Sequence, residues 1–177
     1  MRLAGPADAA AYVETLIIAQ IATYASMMPA AYAAERRAAV PDLIEEFELE
    51  FEDLAAAIEQ DREPFRWHWV ADDTEQIIGV ASAGSEPGWW EAEFDPPPTP
   101  WILDRLYVLP TAHGTGVGQS LLDIAVGERS AYLWIIRGNP RAERFYRRNM
   151  FVPDGSVGLA GGPWLNQPMF RMVRMRR

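Results

Sequence analysis

Residues 106–122 have the sequence LYVLPTAHGTGVGQSLL, in which an apolar run is followed by three alternating glycines. The run before Pro110 predicts a strand over 101–109, and the apolar spacing after Val117 predicts a helix. The glycines of HGTGVG, residues 113–118, remove side chains where strand turns into helix, so backbone N–H groups can surround an anion. The helix dipole adds to that attraction. This segment predicts an anion-binding turn, with a strained turn that binds nothing as the alternative.

The spacing of the glycines excludes two familiar phosphate-binding loops. The dinucleotide fingerprint needs a glycine where Gln119 stands, and an acidic residue about twenty positions later, where the chain reads Trp-Ile-Ile-Arg over 134–137. The Walker loop needs a lysine, and all 16 basic residues of this chain are arginines. The missing lysine also excludes Schiff-base chemistry.

Length and composition predict one domain over residues 1–177, because 177 residues that are 49% apolar can bury a single sizeable core. The longest apolar runs are too short for a membrane span or a signal peptide. The absence of cysteine excludes disulfides, thiolate metal sites and a cysteinyl acyl-enzyme, and it fits a reducing compartment, so we expect a cytoplasmic protein. With two distant histidines and no cysteine, the sequence supports no metal site.

The net charge of −9 conceals two parts of opposite charge. Residues 1–100 carry about −15, whereas residues 101–177 carry about +6. This division argues against nucleic-acid binding, which needs a continuous basic surface, and it suits a site that joins a polyanionic cofactor to a cationic acceptor. For the N-terminal part alone, a solvated acidic helix face is the simpler interpretation.

The rest of the chain predicts alternating helices and strands without an internal repeat or a domain linker. Asn139 and Pro140 indicate a helix start, because asparagine caps free amides and proline fits the first turn. The predicted helices are 7–25, 42–60 and the one that begins at Asn139; the further strands are 65–70, 76–83, 131–136, 150–153 and 169–175, with a loop over 84–100 and a glycine-rich connection over 155–163.

Two segments resemble the motifs of the GNAT superfamily of acyl-CoA N-acyltransferases. LYVLP followed by HGTGVG is similar to its motif Gln/Arg-x-x-Gly-x-Gly/Ala, with His113 in the Gln/Arg position. NPRAERFY, from Asn139 to Tyr146, is similar to its Asn-x-x-Ala-x-x-Phe-Tyr. The resemblance is specific over 101–153. It implies an α/β fold, a mixed and mostly antiparallel sheet flanked by helices, with acyl-CoA in the splay between strands 101–109 and 131–136.

The resemblance also implies which residues hold the co-substrate, acetyl-CoA. The backbone of the first strand would pair with pantetheine, the amides of the glycine turn would hold pyrophosphate, and Asn139 would touch the pantetheine arm. The strand residues are Leu106, Tyr107 and Val108. The residues at the glycine turn are His113, Gly114, Thr115, Gly116, Val117, Gly118 and Gln119. Candidates for the 3′-phosphate are Arg137, Arg141, Arg144, Arg147 and Arg148, although most of these could form a solvated helix face.

The chemistry would be direct transfer of an acetyl group to a primary amine, because the chain has no cysteine and no Gly-x-Ser-x-Gly elbow. Tyr146 occupies the family's proton-donor position. Asp104 is predicted to lie on the same face of the strand as Ile102 and Leu106, and it is the candidate general base. Alternatively, Asp104 has only a structural role, as the ion-pair partner of Arg105. Ile102 stands where many members have glutamate. His68 has no assigned role.

The acceptor is not identified by any motif. An aromatic pocket and the acidic segment 45–53 are two candidate features, and the second would favour a cationic acceptor such as a polyamine, an aminoglycoside or a peptide N-terminus. The aromatic loop could equally be a homodimer contact. A non-catalytic acyl-CoA sensor is the alternative function. The residues of the aromatic pocket would be Trp89, Trp90, Phe94 and Trp101.

Overall fold

The computed structural model describes residues 1–85 and 87–176, with the backbone alone for Trp89. Within this part, seven strands form one sheet in the order β1-β2-β3-β4-β5-β7-β6. The strands are β1 (Arg2–Leu3), β2 (Trp67–Asp72), β3 (Ile77–Gly84), β4 (Ile102–Val108), β5 (Ala131–Ile136), β6 (Val152–Ala160) and β7 (Gln167–Arg174); the helices are α1 (Ala9–Tyr24), α2 (Tyr32–Ala38), α3 (Val40–Glu59), α4 (Val117–Val126) and α5 (Pro140–Arg148).

The sheet is mixed, and its one parallel pair among the described strands is β4 with β5. The predicted fold, a mostly antiparallel sheet flanked by helices, is therefore confirmed. Within residues 1–85 and 87–176, none of the helices combines the length and the apolar character needed to cross a membrane.

The helices cover the sheet on two faces. On the face that we call the α4 face, Leu103 and Leu133 pack against Leu121 and Leu122 of α4 and Tyr146 of α5. On the opposite face, called the α1 face, a second buried cluster joins the sheet to α1 and α3. Its members include Tyr12, Leu16, Phe47, Phe51, Val70 and Val80.

Helix α3 shows why the sequence periodicity predicted this arrangement. Phe47, Phe51 and Leu54 recur every three to four residues and are fully buried, whereas the glutamates between them are mostly exposed. Such spacing places one apolar stripe against the sheet and leaves the charges in water.

Two parts of the prediction differ from the structure. The glycine-rich stretch after Pro153 is not a connection, because residues 155–160 continue β6 and pair with β7 after a register shift between Pro153 and Val157. Gly155 has a φ of +100°, which suits that irregularity, and pairing with a neighbouring strand overrides the low strand propensity of glycine. Helix α2 and the two-residue strand β1 were not predicted. Glu86, in the predicted loop 84–100, lies outside the described residues.

Candidate active site

A cleft of about 490 Å³ opens where β4 and β5 diverge. In the described residues the parallel ladder joins the two strands at Ile102 and Tyr132, and the cleft lies beyond this point. Its walls come from β4, β5, α1, the glycine turn, α4 and α5. The cleft is thus bordered by elements from both faces of the sheet.

The glycine turn forms one end of the cleft. Gly114 and Gly116 have φ values of +81° and +93°, a conformation that costs an L side chain strain. Gly116 is the N-cap of α4, so the first amides of the helix have no acceptor within it and are free to bind an anion. The turn therefore has the glycine conformations and the unbonded helix amides on which the prediction of an anion site depends.

Most residues predicted to contact the co-substrate line the cleft, and two do not. The hydroxyl of Thr115 donates to the carbonyl of Ala112 at 2.7 Å, and the side chain of Val117 packs towards Gly79 and the core. Only their backbone amides belong to the turn. The lining residues from the predicted set are Leu106, Tyr107, Val108, His113, Gly114, Gly116, Gly118, Gln119 and Asn139.

His113 connects the turn to both neighbouring elements. Its Nε2 lies 2.9 Å from the carbonyl oxygen of Val108, and its Nδ1 contacts a guanidinium nitrogen of Arg141. A carbonyl only accepts and a guanidinium only donates, so the imidazole is neutral with its proton on Nε2. Burial and the charge of Arg141 lower the pKa of His113, which favours this state.

The predicted arginine cluster separates into two groups. Arg141, Arg144 and Arg148 line the cleft. Arg147 instead forms an ion pair with Glu143 one helical turn away, at 2.8 Å, and lines a different depression together with Arg137. Three arginines thus contribute positive charge to the cleft.

Asn139 and Tyr146 lie at the two ends of α5. The side chain of Asn139 accepts a hydrogen bond from the amide of Ala142 at 3.0 Å, so the predicted cap is confirmed. Tyr146 also lines the cleft, although only 8% of it is exposed. Burial raises the pKa of the Tyr146 phenol, and Tyr107 adds to this effect, so the phenol keeps its proton at neutral pH.

Helix α1 contributes two lining residues that sequence reasoning missed, Thr23 and Tyr24. The hydroxyl of Tyr24 lies 3.4 Å from that of Tyr107. Burial raises the pKa of Tyr24 to about 12. No local motif marks this pair, because its place in the cleft depends on how α1 packs across the sheet.

Asp104 lines the cleft from a bulge in β4. Ser82 pairs with Arg105 and Ala83 with Leu103, which leaves Asp104 as an extra residue. The bulge interrupts the alternation of side chains along the strand. The prediction that Asp104 shares a face with both Ile102 and Leu106 is therefore wrong for Leu106. Asp104 shares the α1 face with Ile102, whereas Leu106 packs on the α4 face.

The carboxylate of Asp104 is held by positive charge. It lies 2.9 Å from Arg105 and 3.9 Å from Arg66, and the Ser82 hydroxyl donates to it at 3.4 Å. Burial alone would raise the pKa of Asp104, but the two arginines outweigh burial and lower it. Asp104 is therefore ionised at neutral pH.

His68 lies in the same row of the sheet, where it pairs with Ser82 across β2 and β3. The imidazole is fully buried against Tyr12, Phe47 and Phe51, and its Nε2 lies 3.1 Å from Glu50. Burial lowers the pKa of His68 although Glu50 opposes this. His68 is thus part of the buried packing beside Asp104 and does not line the cleft.

The candidate acceptor features are also separated by the structure. Trp134 lines the cleft, and Phe94 and Trp90 pack against it at ring-centroid distances of 4.9 and 5.9 Å. Trp101 lies in the core, where its Nε1 donates to the carbonyl of Ala125. The side chain of Trp89 lies outside the described residues. None of the described carboxylates of segment 45–53 lines the cleft.

Residues 64–153, about half of the chain, match the family described as acetyltransferase (GNAT) domain. The fold resembles PaiA N-acetyltransferase from Thermoplasma acidophilum, solved in complex with coenzyme A, at 18% identity and a TM-score of 0.65, covering 98% of this chain and 96% of that one. Histone acetyltransferase HPA2 and related acetyltransferase from Corynebacterium glutamicum is 25% identical, with a TM-score of 0.63 and coverages of 99% and 95%.

A third similar structure is spermidine N-acetyltransferase from Vibrio cholerae, at 15% identity and a TM-score of 0.54, covering 98% of this chain and 93% of that one. Among curated protein sequences, no match is significant. The matched segment contains both the glycine turn and helix α5, which line the cleft. The chain belongs to the GNAT family of acetyltransferases.

Proposed function

We propose that this chain transfers the acetyl group of acetyl-CoA directly to a primary amine. One observation carries the proposal: a single cleft joins the amides of the glycine turn to a buried, protonated phenol, Tyr146. The first feature suits the pyrophosphate of the donor, and the second suits the thiolate that leaves. A donor and a proton source thus share one site.

The donor would lie along β4. The amides from Gly114 to Gln119 would hold its pyrophosphate, and the backbone of Leu106 to Val108, which lies beyond the pairing of β4 with β5, would pair with pantetheine as an added strand would. Arg141, Arg144 and Arg148 are the cleft-lining candidates for its remaining phosphate. Arg137 and Arg147 are no longer candidates for this phosphate, because both line a different depression and Arg147 is paired with Glu143.

The chemical step needs a neutral amine, because only its lone pair can attack the thioester carbonyl. The C–N bond forms as the C–S bond breaks, and the phenol of Tyr146 gives its proton to the departing thiolate. The amine loses a proton to Asp104 or to a water bound to it. Because the pKa of Asp104 is lowered, it accepts the proton only briefly and passes it to solvent.

The arginines around Asp104 support this scheme in a second way. Arg66 and Arg105 place positive charge beside the carboxylate that would face the amine. Nearby positive charge disfavours the ammonium form and so lowers the pKa of the amine. The two guanidinium groups therefore offset the effect of the Asp104 carboxylate, which by itself would favour the ammonium form.

The test combines calorimetric binding of acetyl-CoA with release of free thiol in the presence of amines. The chain has no cysteine, so a thiol-reactive dye reports coenzyme A without a background from the protein. We expect micromolar binding and amine-dependent thiol release. Binding without thiol release from any amine would support the alternative acyl-CoA sensor, and no binding would exclude both functions.

A further inference from the structure

On the basis of the proposed acetyl transfer, we propose that the acceptor is a primary monoamine that carries an aromatic ring, and that polyamines are poor acceptors. The inference concerns the end of the cleft that the donor does not need. It rests on the side chains that form this end and on the charges that they leave available.

The two ends of the cleft lie on opposite faces of the sheet. The glycine turn and α5 cover the α4 face, and the three cleft-lining arginines lie on α5. Thr23 and Tyr24 belong to α1, and Trp134 joins the aromatic cluster on the α1 face. With the donor held at the α4 end, an acceptor approaches the thioester from the α1 end.

The α1 end has aromatic walls. Trp134 is only partly buried and lines the cleft, and the rings of Phe94 and Trp90 pack against its ring. Its indole nitrogen donates to Glu91 at 2.9 Å, which fixes the orientation of the ring. Tyr24, packed edge-on against Trp164 at 5.0 Å, also lines the cleft. Fixed rings of this kind suit offset or edge-on stacking of another ring.

The charges at the same end leave no partner for a second ammonium group. Asp104 is the one carboxylate among the described lining residues, and it already faces Arg105 and Arg66. Glu91 is buried and accepts hydrogen bonds from Trp134 and Tyr132. A polyamine would have to bury an unpaired charge here, which is strongly unfavourable.

Cation–π contact does not remove this difficulty. The guanidinium of Arg171 already lies 5.6 Å from the ring centroid of Trp134 and 6.0 Å from that of Tyr132. Arg171 is held there by an ion pair with Asp154 at 2.7 Å, so this cation–π position on the two rings is already occupied. The aromatic end is therefore suited to ring stacking and unsuited to a polycation.

The test compares four acceptors with acetyl-CoA in the thiol-release assay: 2-phenylethylamine, tryptamine, hexylamine and spermidine. We expect kcat/KM for the two aromatic amines to exceed that for hexylamine and spermidine by at least about tenfold, a difference of about 1.4 kcal/mol. Hexylamine is the matched control, because it is apolar but has no ring. Equal rates with hexylamine, or faster rates with spermidine, would overturn the inference.

Two substitutions at one position connect the preference to the proposed wall. Trp134→Leu is expected to reduce the ratio of kcat/KM for 2-phenylethylamine to that for hexylamine at least fivefold, whereas Trp134→Phe retains it. KM for acetyl-CoA should stay within twofold in both. Trp67→Leu is the control, since Trp67 stacks on Trp69 in β2 and does not line the cleft. A retained ratio in a folded Trp134→Leu protein contradicts the inference.

The outcomes separate this inference from the function on which it rests. Thiol release that is faster with spermidine or hexylamine rejects the aromatic acceptor and leaves acetyl transfer intact. Acetyl-CoA binding with no thiol release from any of the four amines rejects the aromatic acceptor as well. Absence of acetyl-CoA binding rejects the function itself.

Discussion

A guanidinium nitrogen of Arg141 donates a hydrogen bond to Nδ1 of His113, so that helix α5 and the glycine turn hold each other where both line the cleft. The bond exists only while the imidazole is neutral, since a protonated histidine has no lone pair to accept it. In many members of the family a glutamine or an arginine occupies the position of His113. In this chain the neutral side chain of His113 carries no charge itself and instead orients the guanidinium of Arg141.

Arg141→Ala is expected to weaken binding of acetyl-CoA about tenfold, because one charge-assisted contact to a phosphate contributes roughly 1.5–3 kcal/mol, and its partial exposure to solvent reduces this value. Isothermal titration calorimetry measures the change. Arg147→Ala on the same helix is the matched control, since its side chain pairs with Glu143 outside the cleft. Equal losses in the two variants would reject a specific role for Arg141.

The two histidines predict how stability depends on pH. Burial lowers the pKa of both His68 and His113 in the folded protein, so between that lowered value and about 6.5 the unfolded chain binds more protons. The contribution of the two histidines to the free energy of unfolding is therefore fully present above about pH 6.5. It decreases as the pH falls from there through the pKa values of the folded protein, by at most about 1.4 kcal/mol per pH unit for each histidine.

Urea unfolding at pH 7.5, 6.5 and 5.5 measures this dependence. The carboxylates with lowered pKa, such as Asp104 and Glu50, lose their contribution to the free energy of unfolding only at more acidic pH. The change between pH 5.5 and 7.5 is therefore assigned to the histidines. Replacement of His68 by glutamine should flatten the dependence. An unchanged slope in that variant would mean that folding does not shift the pKa of His68.

Tyr146→Phe should reduce turnover about 100-fold and leave the affinity for acetyl-CoA unchanged, because it removes a proton donor without removing the ring. Steady-state thiol release and calorimetry measure the two quantities. Tyr32→Phe is the control: the Tyr32 hydroxyl is buried and has no hydrogen-bond partner within the described residues. Unchanged turnover in Tyr146→Phe would exclude the donor role.

Asp104→Asn should affect both stability and catalysis. Loss of the charge leaves Arg105 and Arg66 without their shared carboxylate, which we expect to cost about 3 kcal/mol of unfolding free energy. If Asp104 also accepts the amine proton, the pH–rate profile changes its shape in the surviving folded protein. If the variant is destabilised but its pH–rate profile is unchanged, Asp104 has a structural role and is not the general base.

The glycine turn allows backbone and binding effects to be separated. Gly116→Ala should cost about 1–2 kcal/mol of stability, because its φ is +93°. At Gly118 a methyl group would meet Val108 and Phe145 at 3.7–4.0 Å, which is ordinary packing. Gly118→Ala should therefore fold normally and weaken acetyl-CoA binding by narrowing the cleft. Thermal melts and calorimetry distinguish the two variants.

The parts of this site that could be predicted are those specified by local sequence. Asn139 and Pro140 predicted a capped helix because capping involves only neighbouring residues, and the glycine turn followed from backbone geometry alone. Strand β5 was predicted with the bounds that the structure has. These features need no knowledge of the rest of the chain.

The parts that could not be predicted depend on pairing between distant segments. The bulge at Asp104 arises from the register of β3 against β4, and it places Asp104 and Leu106 on opposite faces of the sheet. Tyr24 enters the cleft through the packing of α1, and the strand character of residues 155–160 comes from pairing with β7. In each case tertiary contacts override what the local sequence favours.

The lining of the cleft by elements from both faces of the sheet has a kinetic consequence. If acetyl-CoA occupies the end on the α4 face and the amine the end on the α1 face, neither molecule blocks the entrance of the other. Initial rates should then give intersecting lines in double-reciprocal plots, and the amine should not compete with acetyl-CoA. On the same premise, coenzyme A and the acetylated product would leave from opposite ends of the cleft, so release of one would not have to wait for the other.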